Sequence, residues 1–171
     1  MTSSETDLLL QHLNGQRRHL LNTMDGLDDA TLMQRMLPSR WSPAALVNHL
    51  THDVERFWFR QVVANEPNGF TLPEGMEEAW WISDDTFPRD ILDAYRAEIA
   101  YTDEIVRARG LDDEPLWWDE SLFGPGSRPE NLRDVILHVI AETAAHAGHM
   151  DVVRELIDGK QNMVFTGEPS E

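Results

Sequence analysis

The sequence predicts an all-α fold: a four-helix bundle with a short extra helix and two long loops. Three observations carry this. Four long stretches repeat apolar side chains at steps of three and four. Each is bounded by residues that start or stop helices. No run alternates long enough for a strand; residues 70–72 and 80–82 are too short. Amphipathic helices of this length bury their apolar faces against one another as a bundle.

The first helix is expected over Thr6–Met24, with Leu8, Leu9, His12, Leu13, Leu20 and Leu21 on one side and Asp25-Gly26 as its stop. A short helix over Asp28–Met36 closes at Leu37-Pro38. Ser42-Pro43 opens the second long helix. The serine caps the first amides, and the proline sits where its missing N–H costs nothing. This helix runs to about Ala64, with Leu46, Leu50, Val54, Phe57 and Trp58 on one arc. The third long helix, Pro88–Arg109, carries Ile91, Leu92, Tyr95, Ile99, Ile105 and Val106, and Gly110 ends it. The last starts near Pro129 or Glu130 and ends at Asp158-Gly159. The connections 66–87 and 111–128 are long, as functional lids often are. Each holds a tryptophan pair, Trp80-Trp81 and Trp117-Trp118. The first role expected of these indoles is to pin the loops to the bundle, with ligand contact second.

Composition narrows function. The chain's 171 residues suit one domain, a bundle over 1–159 with a loosely ordered tail over 160–171. Fourteen basic against 31 acidic side chains leave a net charge of −17. Such a surface repels nucleic-acid phosphates and anionic membranes. No cysteine is present, which removes disulfides, thiolate metal sites and a cysteine nucleophile together. Residues Met1–Asp7 are polar and no long apolar run occurs, so the expectation is a soluble cytoplasmic protein acting on a small molecule.

The chemistry-bearing stretch is His138, Glu142, His146 and His149 on the last helix. At about 100° per residue these side chains fall within about 80° of one another, along one edge of the apolar arc. Glu142 and His146, four apart, meet on one face. Carboxylate and imidazole are ligands that a zinc-like, nickel-like or iron-like divalent cation accepts. The second long helix offers His49, with His52 and Asp53 one turn on; Asp53 lies within the apolar arc, odd for a carboxylate unless paired or ligating. His138 and His52 also read as ordinary hydrogen-bonded boundary histidines, and His12 and His19 as structural or exposed.

Several segments together resemble the DinB/YfiT-like superfamily over about Leu8–Gly159. They are Trp41-Ser-Pro-Ala-Ala-Leu-Val-Asn-His49-Leu50, Glu55 with Trp58-Phe59, Leu132 to His138, Glu142-Thr-Ala-Ala-His146-Ala-Gly-His149-Met-Asp151, and Arg154 to Gly159. The nearest likeness is to an actinobacterial branch of unknown function, related to mycothiol-dependent maleylpyruvate isomerases. The resemblance implies a bundle with one crossover and a divalent metal, usually zinc or nickel. One ligand comes from a histidine of the second long helix and two from the last helix. Many members carry His-x3-His there; this chain has Glu142-x3-His146, as the isomerase branch does. His49, Glu142 and His146 are thus the implied ligands. His149 either replaces one of them or stands behind them, and Asp53, His52 and His149 are the candidates for orienting ligands or moving protons.

Characterised relatives are thiol-dependent transferases and isomerases, some using mycothiol. The implied function is a metal-dependent transferase or isomerase that turns a small-molecule thiol on an electrophile. Rival readings are a hydrolase using metal-bound water and a non-catalytic metal-binding or stress-response module. A homodimer through helix faces is compatible with this bundle type.

Overall fold

A computed structural model describes residues 4–67, 80, 82–83 and 85–162. Residues 70–72, Trp81 and the end of the tail, 163–171, lie outside the described residues. No strand occurs among the described residues, and the fold is helical as predicted. The elements are α1 (Glu5–Met24), α2 (Asp29–Leu32), α3 (Pro43–His49), a π-helical segment (Leu50–Val63), α4 (Pro88–Arg107), α5 (Glu120–Phe123) and α6 (Leu132–Asp158). No described helix is long and apolar enough to cross a membrane.

Side-chain contacts give the helix directions. Arg133 reaches Glu5, His19 reaches Asp151, and Arg154 reaches the Thr23 carbonyl, so α1 and α6 run parallel. Arg107 meets Asp7 and Arg89 meets the Leu27 carbonyl, so α4 runs against α1. His49 faces His146 and Trp58 faces His138, so α3 and the π segment run against α6. The π segment and α4 are therefore parallel neighbours, in keeping with the single crossover implied.

Local chemistry explains most boundaries. Ser42 Oγ accepts the Ala45 N–H at 3.2 Å with Pro43 in the first turn, as the sequence predicted. Ser4 and Asp7 form a reciprocal capping box at the start of α1. The short helix is four residues, Asp29–Leu32, capped by Asp28, rather than extending to Met36. Asn131 caps α6, two residues beyond the predicted start. Gly159 ends it at φ 75°, in the left-handed region that glycine enters without a Cβ clash.

Two core assignments differ from the periodicity reading. In α1 the buried line is Leu10, Leu13, Arg17, Leu20 and Met24, while Leu8 and His12 are exposed. A run of three leucines let the arc be drawn one residue out of phase. The second difference is the π segment. Its amides reach five residues back, as Ala64 N–H to Phe59 O does at 3.1 Å. Its turn is wider than 3.6 residues, so Leu50, Val54, Phe59 and Val63 fall on the core. Phe59 is fully buried, Trp58 is half-buried, and Glu55 turns inward.

Glu55 is tolerated because Arg17 meets it. Arg17 Nε and Nη2 donate to the two Glu55 oxygens at 2.7 and 2.6 Å, and Thr102 Oγ1 donates at 2.9 Å. Arg17 Nη1 also donates to Asp103 at 2.6 Å. A two-point guanidinium–carboxylate pair is the geometry that makes a buried charge bearable. Burial alone would lower the Arg17 pKa, but Glu55 and Asp103 carry it above its ordinary value. The Tyr95 hydroxyl lies nearby, buried and without a hydrogen-bond partner, and burial and then Glu55 push its pKa up. The cluster ties α1, the π segment and α4 together, beneath the end of α3 that carries His49.

Candidate functional site

His49 ends α3 and His146 lies midway along α6, so the antiparallel pairing brings them face to face. Their ring centroids are 5.0 Å apart with an edge-to-face angle of 71°. Asp53 stands one turn after His49 and its Oδ2 accepts His49 Nδ1–H at 2.8 Å. That explains a carboxylate on this arc: it is paired. It also fixes the His49 tautomer and leaves Nε2 as the free lone-pair nitrogen.

Glu142 lies between two imidazoles of its own helix. Its oxygens are 3.6 Å from His146 Nε2 and 4.0 Å from His138 Nε2. His146 is mostly buried, and its Nδ1 is buried with no hydrogen-bond partner. Burial lowers its pKa to about 4, helped by His49 and His149 and opposed by Glu142. At neutral pH the ring is therefore uncharged, the state in which imidazole binds metals. His149 is exposed, its ring 5.6 Å from that of His146. His52 turns the other way: its Nδ1 meets Arg56 Nη1 at 3.2 Å, and burial, then Arg56, lowers its pKa. The structure thus brings His49, Asp53, Glu142 and His146 together, sets His149 at the edge, and leaves His52 outside. His19 pairs with Asp151 and is structural.

The donor chemistry suits a divalent cation: a neutral imidazole with an unsatisfied buried nitrogen, a second imidazole oriented by a carboxylate, and an adjacent glutamate. Among the described residues, no three His, Asp or Glu side chains are already gathered in a metal-holding arrangement. The structure supplies a facing pair with an acid alongside, not a finished cage.

A tryptophan covers this pair. Trp80 stacks on His49 at 4.1 Å, nearly parallel, and lies 5.8 Å from His146. The indole expected first as a loop anchor therefore also covers the site. Trp117 packs on Phe57, and Trp118 packs on Trp58 and Phe123, anchoring the second loop. One cavity borders His49 and a second lies beside Trp80. The first, about 290 Å³, lies toward Asp53, Trp58, Phe123, His138 and Glu142. The second, about 330 Å³, is lined by Ser39, Arg40, Trp41 and Trp80. His138, read as a boundary residue, faces the first cavity with its ring 4.2 Å from Trp58. Phe123 ends the four-residue α5 and Trp80 lies in the connection before α4, and both segments are too short for periodicity to place them.

A family model described as mycothiol S-transferase matches residues 8–159. The chain belongs to that family. The match spans all four long helices and both members of the His49–His146 pair, and it agrees with the DinB/YfiT-like resemblance of the sequence. No curated protein matches the chain.

Proposed function

We propose that this member of the mycothiol S-transferase family is a metal-dependent enzyme that joins the thiol of mycothiol to a small electrophile. The observation that carries the reading is the approach of His49 and His146 from two antiparallel helices, beside a cavity that His49 and Glu142 line. Family membership supports the reaction class. The absence of cysteine supports an external thiol.

His49, through its free nitrogen, Glu142 and His146 would hold the ion, zinc or nickel by donor type. A divalent charge at that place favours thiolate over thiol. Asp53 keeps His49 in the required tautomer. His149, exposed beside His146, would accept the thiol proton. Trp80 shields the pair from water. With a haloalkyl electrophile, a sulfur–carbon bond forms and the carbon–halogen bond breaks. The halide leaves with that electron pair, and the thiol proton passes to the base.

The test uses protein purified without a histidine tag, mycothiol and a fluorogenic haloalkyl electrophile. Conjugate should form with mycothiol, stop on chelation, return with zinc or nickel, and fall at least about a hundredfold in His49→Ala. No turnover with mycothiol, whatever metal is supplied, would overturn the reading. A metal-dependent hydrolysis indifferent to thiol would point to water as nucleophile.

A further inference from the structure

We infer that the cavity toward α5 is the electrophile subsite, and that it takes a flat aromatic group bearing no negative charge. Its catalytic use rests on the proposed function; the binding preference rests on the cavity alone.

Five rings line this cavity: His49, Phe57, Trp58, Phe123 and His138. They are braced against one another rather than loose. Phe57 and Phe123 have centroids 5.6 Å apart, and Trp58 and His138 4.2 Å apart. Trp118 backs two of them, stacking at 5.7 Å on Trp58 and 4.6 Å on Phe123. A wall of fixed rings presents flat apolar faces, which stack on another ring at little entropic cost. The space is about 290 Å³. A closed apolar cavity of about 150 Å³ accommodates benzene, so this one suits two fused rings or one ring with a short arm.

The charged lining has one sign. Asp53 and Glu142 contribute carboxylates, and among the described residues no lysine or arginine lines the cavity. A carboxylate-bearing ligand would meet two like charges at close range in a partly desolvated space. A neutral ring meets no such penalty, and an ammonium-bearing ring gains from both the acids and the ring faces. A divalent ion held by His49, Glu142 and His146 would offset these two charges, and the thiolate beside it would restore one. The preference therefore belongs to the metal-free protein and, with metal, to the form that also carries the thiolate.

The test is calorimetric titration of the metal-free protein with three matched unreactive probes: 2-naphthalenemethanol, 2-naphthoate and 2-naphthylmethylammonium. The alcohol and the ammonium should bind, and the naphthoate at least about tenfold more weakly than the alcohol. Phe123 is 41 % exposed, so Phe123→Ala should fold normally. It should weaken the alcohol about fivefold or more with an unchanged order among the probes. Naphthoate binding as tightly as the alcohol, no probe binding up to millimolar concentration, or Phe123→Ala binding like the parent would each overturn the inference. Failure of the two proposals is separable. Binding in the stated order without thiol transfer would sink the proposed function and leave this subsite standing. Transfer that is indifferent to a carboxylate on the electrophile would do the reverse.

Discussion

Replacing Arg17 by leucine should be one of the most damaging single changes to this fold. Glu55 is fully buried and takes three hydrogen bonds, two of them from Arg17 at 2.7 and 2.6 Å. In Arg17→Leu only Thr102 still donates to that carboxylate, and Asp103 keeps Asn14 Nδ2 but loses its cation. Breaking a buried pair from one side costs roughly 3–5 kcal/mol, because the remaining charge stays desolvated. For a chain of this length each kcal/mol shifts Tm by roughly 2–4 °C, so the drop should be roughly 6–20 °C. Thermal unfolding at neutral pH, followed by far-ultraviolet circular dichroism, reads it. The double variant Arg17→Leu/Glu55→Leu should recover most of the loss, since apolar replacement of both partners is often close to neutral. A drop under about 3 °C in the single variant, or a double variant that is merely the sum of the singles, would refute the reasoning.

Three other changes have defined outcomes. His146 has a folded pKa lowered to about 4 against an ordinary 6.5, so its contribution is complete above pH 6.5 and lost as pH falls toward 4. In chelator-treated protein the Tm should fall across that window, and His146→Gln should flatten the fall; an unchanged pH profile would remove His146 as its cause. Ser42→Ala deletes a buried helix cap and should cost about 1 kcal/mol, a Tm shift of roughly 2–4 °C, measured in the same way. Trp80→Ala uncovers His49 and should slow thiol transfer about tenfold or more, with Tm within about 3 °C of the parent. Equal rates would limit Trp80 to packing.

Much of this structure is legible in the chain because strong local signals agree with the fold. Ser42-Pro43 and Asp158-Gly159 mark helix ends by chemistry that acts within a turn, whereas α4 ends at Arg107 with Ala108 as its cap, two residues before the predicted Arg109. His49 with Asp53, and Glu142 with His146, are close in space because side chains four apart share a helix face. What stays hidden depends on tertiary packing. A helical-wheel count at 3.6 residues per turn puts Trp58 inside and gives Glu55 no reason to turn inward. The wider π turns exchange Trp58 for Phe59 and bring Glu55 onto Arg17. The buried line of α1 passes through Arg17, which no apolar pattern would select. Trp80 over His49 and Phe123 in the cavity wall come from segments without periodicity, so only the folded chain places them.

Zinc titration by calorimetry of the parent, His49→Ala, His146→Ala and Asp53→Asn tests most directly whether two helices share one cation. One zinc per chain is expected for the parent. Asp53→Asn should weaken it roughly 10–100-fold by releasing the His49 ring, and each histidine variant should weaken it at least as much. Zinc bound by His146→Ala as tightly as by the parent would contradict a metal held between His49 and His146.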